Sequence, residues 1–354
     1  MKVLLYSPAF LPQIGGLELN VANLAEGLVA SGYEVVVITS TPAGEEDLVP
    51  YRVVRRPGPL ALLRWARWCD VFFQKNVSLR GLWPLLFVRR PWVVSHHSWY
   101  CRTDGRVAWQ DRLKRRLLRF AAASISVSEA VAADLDTPST VIHNAYRDHL
   151  FRLLPEVARD GELLFVGRLV SDKGVDLLLD ALALLAERGR RPRLTIVGDG
   201  PERERLAGQA QRLGLTARID FAGVQRGEEL VRTMNRHRVL VVPSRYREPF
   251  GIVALEGMAC GCMVVGSRGG GLAEAIGPGG LTFPNGDRDE LAHRLAEALD
   301  ATAAPSWRMS AAAVAHLDRH RSATVLAPYV ATLEAVAGGA AANLRRAHWI
   351  RSSS

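Results

Sequence analysis

Twice along the chain a short apolar run ends in a glycine-containing loop and passes into an amphipathic helix. This repeat restricts the fold more than any other feature. The first instance is Lys2–Ser7, then a loop with Pro8, Pro12 and Gly15-Gly16. A helix over Asn20–Ser31 follows, with Val21, Leu24, Ala25 and Leu28 on one stripe. Glu34–Ser40 is a second buried strand, so the segment closes a βαβ unit of about 40 residues, the start of a doubly wound parallel sheet. Further strands are expected at Val71–Phe73, Trp92–Ser95, Ser124–Val127 and Thr140–His143, with a basic helix over Arg106–Ala123.

Around Leu154–Gly161 the pattern restarts. The strand over Leu163–Val166 ends in Gly167-Arg168, and Leu194–Val197 ends in Gly198-Asp199-Gly200-Pro201. Helices are expected over Val175–Arg188, Glu202–Leu213 and Glu228–Arg236, and strands at Ile219–Ala222, Val239–Val242, Met263–Gly266 and Leu281–Phe283. The expected architecture is α/β, with two Rossmann-like doubly wound domains, 1–157 and 158–321, facing across a cleft. A helix around 322–345 is expected to pack back on the first domain. Two domains also suit 354 residues, because single cores seldom exceed about 250–300 residues. A cleft between two domains is a favoured ligand site.

Composition narrows the class. Hydrophobic residues make up 48% of the chain, and no apolar stretch reaches the roughly 18 uncharged residues a membrane span needs. The N-terminus resembles a signal peptide for five residues before Pro8 and Pro12 break it, so a first buried strand is the better reading. Four cysteines give no disulfide framework, which points to a reducing, cytoplasmic compartment. Cys260 and Cys262 lack a second Cys or His pair at metal-site spacing and read as core. Between Arg52 and Arg119 there are 16 Lys or Arg against three acids, a local balance of +13 within a net charge of +9. Such a basic half attracts nucleic acid, anionic lipid or an anionic substrate, or is a solvated face. Nucleic acid is disfavoured, because neither stacking aromatic sets nor a groove helix accompany the charge.

Several residues could carry chemistry. Glu248 and Glu256 stand eight apart, with Pro249 and Gly251 placing the first before a helix and the second inside it. Both can face the carboxyl edge of a sheet, where open α/β sheets place ligands. Ionised carboxylates accept hydrogen bonds, which suits a polyhydroxylated ligand. Arg168 and Lys173 follow a strand and suit a diphosphate. Gly15-Gly16 precede a helix start, where glycine allows phosphate to approach, or serves turn geometry only. Gly269-Gly270-Gly271 offers a phosphate or sugar contact. Gly198-Asp199-Gly200 lacks the third glycine of a dinucleotide fingerprint, which excludes a nicotinamide-type site. His96 and His97 end a strand, so one points inward and one outward. Adjacent histidines without a third ligand do not make a metal site. Asp287-Arg288-Asp289 and Asp134-Leu135-Asp136 read as structural, at helix ends.

With these residues in place, the chain resembles the family 4 glycosyltransferases of GT-B fold from Met1 to about Tyr329. The matching pieces come in order: Gly-Gly-Leu-Glu (15–18), Val-Ser-His-His (94–97), Val-Ser-Glu-Ala (127–130), His-Asn-Ala (143–145), Val-Gly-Arg-Leu with Lys-Gly (166–174), Val-Gly-Asp-Gly-Pro (197–201), Glu-x7-Glu (248–256), Gly-Gly-Leu-Ala-Glu (270–274) and Pro-Asn-Gly-Asp (284–287). The resemblance implies hexosyl-type transfer from a nucleotide-sugar, with retained anomeric configuration, front-face attack, no cofactor and no obligatory metal. It implies that Arg168 and Lys173 neutralise the leaving diphosphate, Glu256 holds the ribose and Glu248 the transferred sugar. Backbone at Phe250, Gly251 and Ile252, with Gly167, Gly198 and Asp199, would complete the donor site. His97 would be the active-site histidine, Gly16 would approach the phosphates, and Glu18 and Ser98 would face the acceptor. Ser98 stands where an acid is common.

The expected acceptor is a glycan or a lipid-linked one, in envelope polysaccharide or lipopolysaccharide synthesis. The basic segment Arg106–Phe120, with Trp65, Trp68 and Trp83 as interfacial anchors, would lie on an anionic membrane surface on its cytoplasmic side. The competing readings are a soluble natural-product glycosyltransferase, a sugar-nucleotide epimerase or a phosphorylase on the same fold, and, remotely, a nucleic-acid-binding protein.

Overall fold

The computed structural model describes residues 1–12, 15–42, 49–101, 106–304 and 307–352, with side chains to residue 339. The basic tail Leu344–Ser354 lies outside the described side chains. The chain forms two compact units, one of Met1–Ala145 with Ser322–Ser354 and one of Tyr146–Arg321.

The first unit holds seven parallel strands: β1 (Lys2–Ser7), β2 (Glu34–Thr39), β3 (Arg52–Arg55), β4 (Val71–Lys75), β5 (Trp92–His96), β6 (Ala123–Ser126) and β7 (Thr140–Val141). Their order across the sheet is β3-β2-β1-β4-β5-β6-β7. The second unit holds β8 (Gly161–Val166), β9 (Leu194–Val197), β10 (Ile219–Gly223), β11 (His237–Val242), β12 (Met263–Ser267) and β13 (Gly280–Phe283). Their order is β10-β9-β8-β11-β12-β13, again parallel. Winding therefore reverses once in each sheet, between β1 and β4 and between β8 and β11. Ligands of open parallel sheets sit outside the carboxyl ends of the strands at such a reversal.

The strands are short continuous apolar runs because helices cover both faces. In the first unit, Val3 and Leu5 of β1 face one helix layer, with Val21, Ala25 and Leu28 of the helix Gly16–Ala30. Leu4 and Tyr6 face the other layer, with Leu62 and Ala66 of the helix Pro59–Trp68. The C-terminal helix Ser322–Ser352 adds Val325, Tyr329 and Leu333 to the first layer, and Tyr329 packs on Phe73 at 6.0 Å between ring centres. Gly27 makes this approach feasible, since a side chain there would press on Leu326.

Three expectations need correction. The sequence pattern puts the domain join at 157, but the chain enters the second unit at Tyr146. The reason is that 146–154 lacks strand or helix periodicity yet is anchored there: Arg147 pairs with Glu256, Arg152 with Glu228, and Leu154 N–H donates to Asn235. The basic helix is shorter than Arg106–Ala123. It spans Trp109–Leu117, with a single tighter turn over Leu118–Phe120. The first helix begins at Gly16, a turn before Asn20, because glycine leaves no periodic mark.

The loops after β8 and β9 lock onto one another through backbone. Gly167 N–H donates to Val197, Gly198 N–H to Gly223, and Leu169 N–H to Asp199. Gly198 has φ +137, and a Cβ there would collide with the Gly167 carbonyl oxygen. Gly198→Ala is expected to cost about 1–3 kcal/mol, read as a lowered denaturant midpoint. Gly189→Ala is the control. It shares a left-handed backbone, φ +80, but faces open space, so its loss should be smaller. Equal losses would show that the loop contact is not what Gly198 protects.

Candidate functional site

At the reversal of the second sheet, the loop after β8 carries Arg168 and Lys173, and the loop after β11 carries Ser244 and Glu248. Lys173 Nζ lies 2.6 Å from Glu248 Oε1, and Ser244 Oγ donates to the same oxygen at 2.7 Å. Arg168 is exposed and has no ion pair among the described residues. Two backbone contacts hold these loops together. Arg245 N–H donates to Asp172 at 2.9 Å, and Gly174, at φ +67, lies against the Pro243 carbonyl, where a Cβ would clash.

The Gly269–Gly271 loop braces the Glu248 backbone. Gly270 bridges Glu248 as a parallel β-bridge, and Gly271 N–H donates to the Glu248 carbonyl at 2.8 Å. Asn285 pins both loops: its side chain accepts from Gly269 N–H at 2.6 Å and donates to the Ser244 carbonyl at 3.0 Å. Asp199 is exposed, and its Oδ1 accepts from the next N–H, Gly200, so this carboxylate shapes the turn. Gly251, at φ +117, caps the helix Ile252–Ala259, whose first-turn N–H groups face the site end. Phe250 beside it is buried against the His320 ring.

Glu256 sits inside that helix and is 8% exposed. Burial raises its carboxyl to about 7, and Arg147, 3.3 Å away, pulls it back only in part. The pair is loose. Arg147 also lies 5.0 Å above the Phe151 ring, and its Nε is buried with no hydrogen-bond partner among the described residues. Gly257 lets the helix approach β11, since a side chain would strike Leu240.

The first unit gathers its residues at its own reversal. Gly16 opens the helix after β1, and Glu18 folds back toward Gly15. His97 follows β5 and is half-buried, with Nε2 3.0 Å from Ser95 Oγ and 3.3 Å from Lys75 Nζ. Its backbone N–H donates to Asn76 at 2.7 Å, and Ser98 beside it is half-buried. His96 points the other way into the core, between Tyr100 Oη at 2.6 Å and Ser124 Oγ at 2.8 Å. Burial lowers it to about 3, so it is a neutral packing group.

Sequence reasoning missed Lys75, Arg147, Ser244 and Asn285. Lys75 had one signal: it ends an apolar strand run, Val-Phe-Phe-Gln-Lys, where a charged residue is buried only for a reason. Arg147 gave none. The Asp-x-Asp segments are structural: Asp287 caps the helix Arg288–Ala301 through Glu290 N–H, and Asp134 accepts from Arg115 at 2.6 Å. Cys260 and Cys262 are both fully buried. A separate hollow of about 520 Å³ opens at the amino ends of β8 and β9, but no candidate residue lines it. Two of its lining carboxylates are already paired, Asp160 with Arg236 and Glu162 with Arg238.

Glu256 has a pH signature. Its folded value is raised from 4.5 to about 7, so the folded chain binds the extra proton between those values. Burial of this group is free below about 4.5 and costs most above about 7. Glu256→Gln should therefore gain stability relative to the parent as pH rises through that window, by up to about 3 kcal/mol. Thermal melts across this window test it, and a pH-independent difference would remove the burial argument.

The family pattern "Glycosyltransferase Family 4" matches residues 14–148, and "Glycosyl transferases group 1" matches residues 148–313. An uncharacterized glycosyltransferase of Methanocaldococcus jannaschii is 31% identical over 324 residues, covering 78% of this chain and 83% of that protein. A D-inositol 3-phosphate glycosyltransferase of Frankia alni is 39% identical over 363 residues, covering 84% of this chain and 88% of that protein. Among solved structures, Anabaena HepE in complex with UDP and glucose superposes with a TM-score of 0.80 at 24% identity, covering 95% of this chain and all of HepE.

Proposed function

We propose a function for a chain that belongs to the family 4 glycosyltransferases of GT-B fold: it moves a hexosyl group from a nucleoside-diphosphate sugar to a glycan or lipid-linked acceptor, with retention at the anomeric carbon. One observation carries the donor half. Two cations after β8 and two carboxylates after β11 converge on one sheet reversal, the place where a diphosphate and its two sugars need opposite chemistry.

Arg168 and Lys173 take the charge that develops on the leaving diphosphate, with first-turn N–H groups of the helix Ile252–Ala259 as further donors. This division gives the leaving group its counter-charge from side chains, so the reading invokes no metal and no cofactor. Glu248 uses Oε1 on Lys173 and Ser244, which leaves Oε2 for a hydroxyl of the transferred sugar. Glu256 accepts from the ribose hydroxyls. The glycine backbones of Gly167 and Gly198 give close approach, and Asp199 has one oxygen left after its turn bond. In the first unit, Gly16 approaches phosphate, His97 offers a ring nitrogen to the sugar, and Glu18 and Ser98 take the acceptor side.

Retention fits a front-face step. The diphosphate oxygen leaves with the bonding pair, the acceptor hydroxyl attacks the oxocarbenium-like carbon from the same face, and its proton passes to the departing oxygen. The neighbour HepE was solved with UDP-glucose, so UDP-sugars are the first donors to try. Thermal shift against UDP-, GDP-, ADP- and dTDP-sugars should show stabilisation by one base class. No shift with any of them would end the donor reading. Arg168→Ala should keep the melting point and lower kcat by about 10²–10³-fold. Unchanged turnover would remove Arg168 from the mechanism.

The membrane half of the reading changes in detail. Lys114 and Arg115 are engaged by Asp111 and Asp134, so Arg112, Arg116 and Arg119 are the basic side chains left exposed on the helix and the turn after it. Trp65 and Trp68 meet edge to face, as do Trp83 and Phe87, and all three tryptophans are partly buried against the core, which leaves less of each ring for a membrane. The exposed aromatic side chains nearby are Trp109 at 69%, Phe120 at 65% and Phe87 at 70%, with Leu86 and Leu113 also exposed. No described helix is long and apolar enough to cross a membrane. Cosedimentation with anionic vesicles at low salt should be lost when Arg112, Arg116 and Arg119 are changed to Glu. No binding by the parent chain would leave an acceptor in solution.

A further inference from the structure

The proposed mechanism leaves one buried charge unused. Lys75 closes β4 and is 0% exposed. Its Nζ lies 2.8 Å from Asn20 Oδ1 on the helix Gly16–Ala30 and 3.3 Å from His97 Nε2 after β5. It also sits 5.2 Å above the Phe73 ring of its own strand and 5.0 Å above the Tyr329 ring of the C-terminal helix. Asn20 is itself fixed, because its Nδ2 donates to Asn144 Oδ1 at 2.9 Å in the segment after β7. That bond orients Asn20 Oδ1 toward Lys75 as an acceptor. The groups facing Lys75 are therefore Asn20, His97, Phe73 and Tyr329, with Ser95 on the same His97 nitrogen. No carboxylate is among them.

We propose that Lys75 is a positioning residue that sets which ring nitrogen of His97 carries the proton, and so whether His97 donates to or accepts from the sugar substrate. The second half rests on the reading above that His97 touches the sugar. The argument is one of hydrogen count. An ammonium has three donors and no acceptor, so His97 Nε2 must meet it with a lone pair. A neutral imidazole has one donor and one acceptor, so the proton is then on Nδ1. His97 is kept neutral, first by burial and then by the nearby Lys75 and His96. Among the described residues its Nδ1 has no partner, which makes it the nitrogen offered outward.

An amine at Lys75 allows the reverse. Lys75 then has two N–H groups, one kept for Asn20, and a lone pair; turned to the ring, that lone pair accepts Nε2–H and Nδ1 becomes the acceptor. The ammonium gives one proton to water, the ring proton changes nitrogen, and His97 stays neutral throughout. The Ser95 hydroxyl follows either state, since it donates or accepts. Burial lowers Lys75 from 10.5 to about 7, which puts the change near neutrality. The two aromatic faces favour the ammonium below that point.

The test is nitrogen NMR of the full chain with labelled histidine, the His97 signals assigned with His97→Gln. Spectra are taken from about one unit below to one unit above the Lys75 value. The parent should show Nδ1–H at the low end and Nε2–H at the high end. Lys75→Met, which keeps the buried stem, should hold one tautomer throughout and lose any matching inflection in kcat. A parent His97 that keeps one tautomer over this range, or becomes an imidazolium, overturns the proposal without need of any variant. The spectra require no substrate, so they can fail while glycosyl transfer stands. If the tautomer changes but His97→Gln transfers sugar at the parent rate, the link to the sugar falls and the control of the ring proton remains.

Discussion

The reversal of winding beside the first strand of each sheet is the constraint on which the rest depends. β1 passes outward to β2 and β3 and then inward to β4, and β8 passes outward to β9 and β10 and then inward to β11. At those points adjacent loops leave in opposite directions, so backbone ends open to a ligand instead of covering one another. Arg168, Lys173, Glu248 and Glu256, the charged residues of the second unit with the main proposed donor roles, hang from β8, β11 or the helix after β11, and Asp199 joins them from the loop after β9. The glycines do the rest of the positioning. Gly174 against Pro243, Gly198 against Gly167 and Gly270 against Glu248 are backbone-on-backbone contacts in which any side chain would intrude. They fix the loops to within contact distance before any ligand chemistry begins.

Those loops need such bracing because the site carries charge out of water. Glu248 is held by an ammonium and a hydroxyl, while Glu256 has a single long contact from Arg147. A carboxylate with unused acceptor capacity in a buried place is unfavourable for folding and useful for binding. Ribose hydroxyls would supply the missing donors. The orphaned Nε of Arg147 adds a second unsatisfied group beside it. Donor binding as proposed would draw on a deficit already built into the fold, and use polar groups that a stability-optimised core would have replaced.

The sheets were legible in the sequence because parallel strands buried on both faces are unbroken apolar runs. β1, β2, β8, β9, β11 and β12 fall within a residue or two of the periodicity. β3 was missed, as its Arg-Val-Val-Arg is half polar and only partly buried at the sheet edge. The helix Pro59–Trp68 was missed too, since its arginines and tryptophans interrupt the apolar stripe. In the site, Glu248, Glu256, Arg168 and Lys173 stood out because they break apolar or glycine-rich surroundings at strand ends. Which cation meets which carboxylate did not, because such pairings span up to 109 residues of sequence, as in Arg147 with Glu256. The Gly269–Gly271 loop is ambiguous for the same reason: a glycine run signals close approach, and only the fold shows that one approaching group is the Glu248 backbone.

Lys75 and Glu256 show how the two units share one electrostatic logic with opposite sign. Lys75 is a base whose folded value is lowered to about 7, so the unfolded chain holds more protons between about 7 and 10.5. Its burial therefore costs less as pH rises above 7. Glu256 is an acid whose folded value is raised to about 7, so its burial costs less as pH falls below 7. Added together, the two penalties are largest near neutrality, where each group is poised to gain or lose its proton. A fold selected only for stability would place neither group there. Both lie at sheet reversals, and among the described residues the charged end of each meets only other side chains. Shifted ionisation of this kind clusters at functional sites, which supports the proposed roles of Glu256 toward the donor and of Lys75 toward His97.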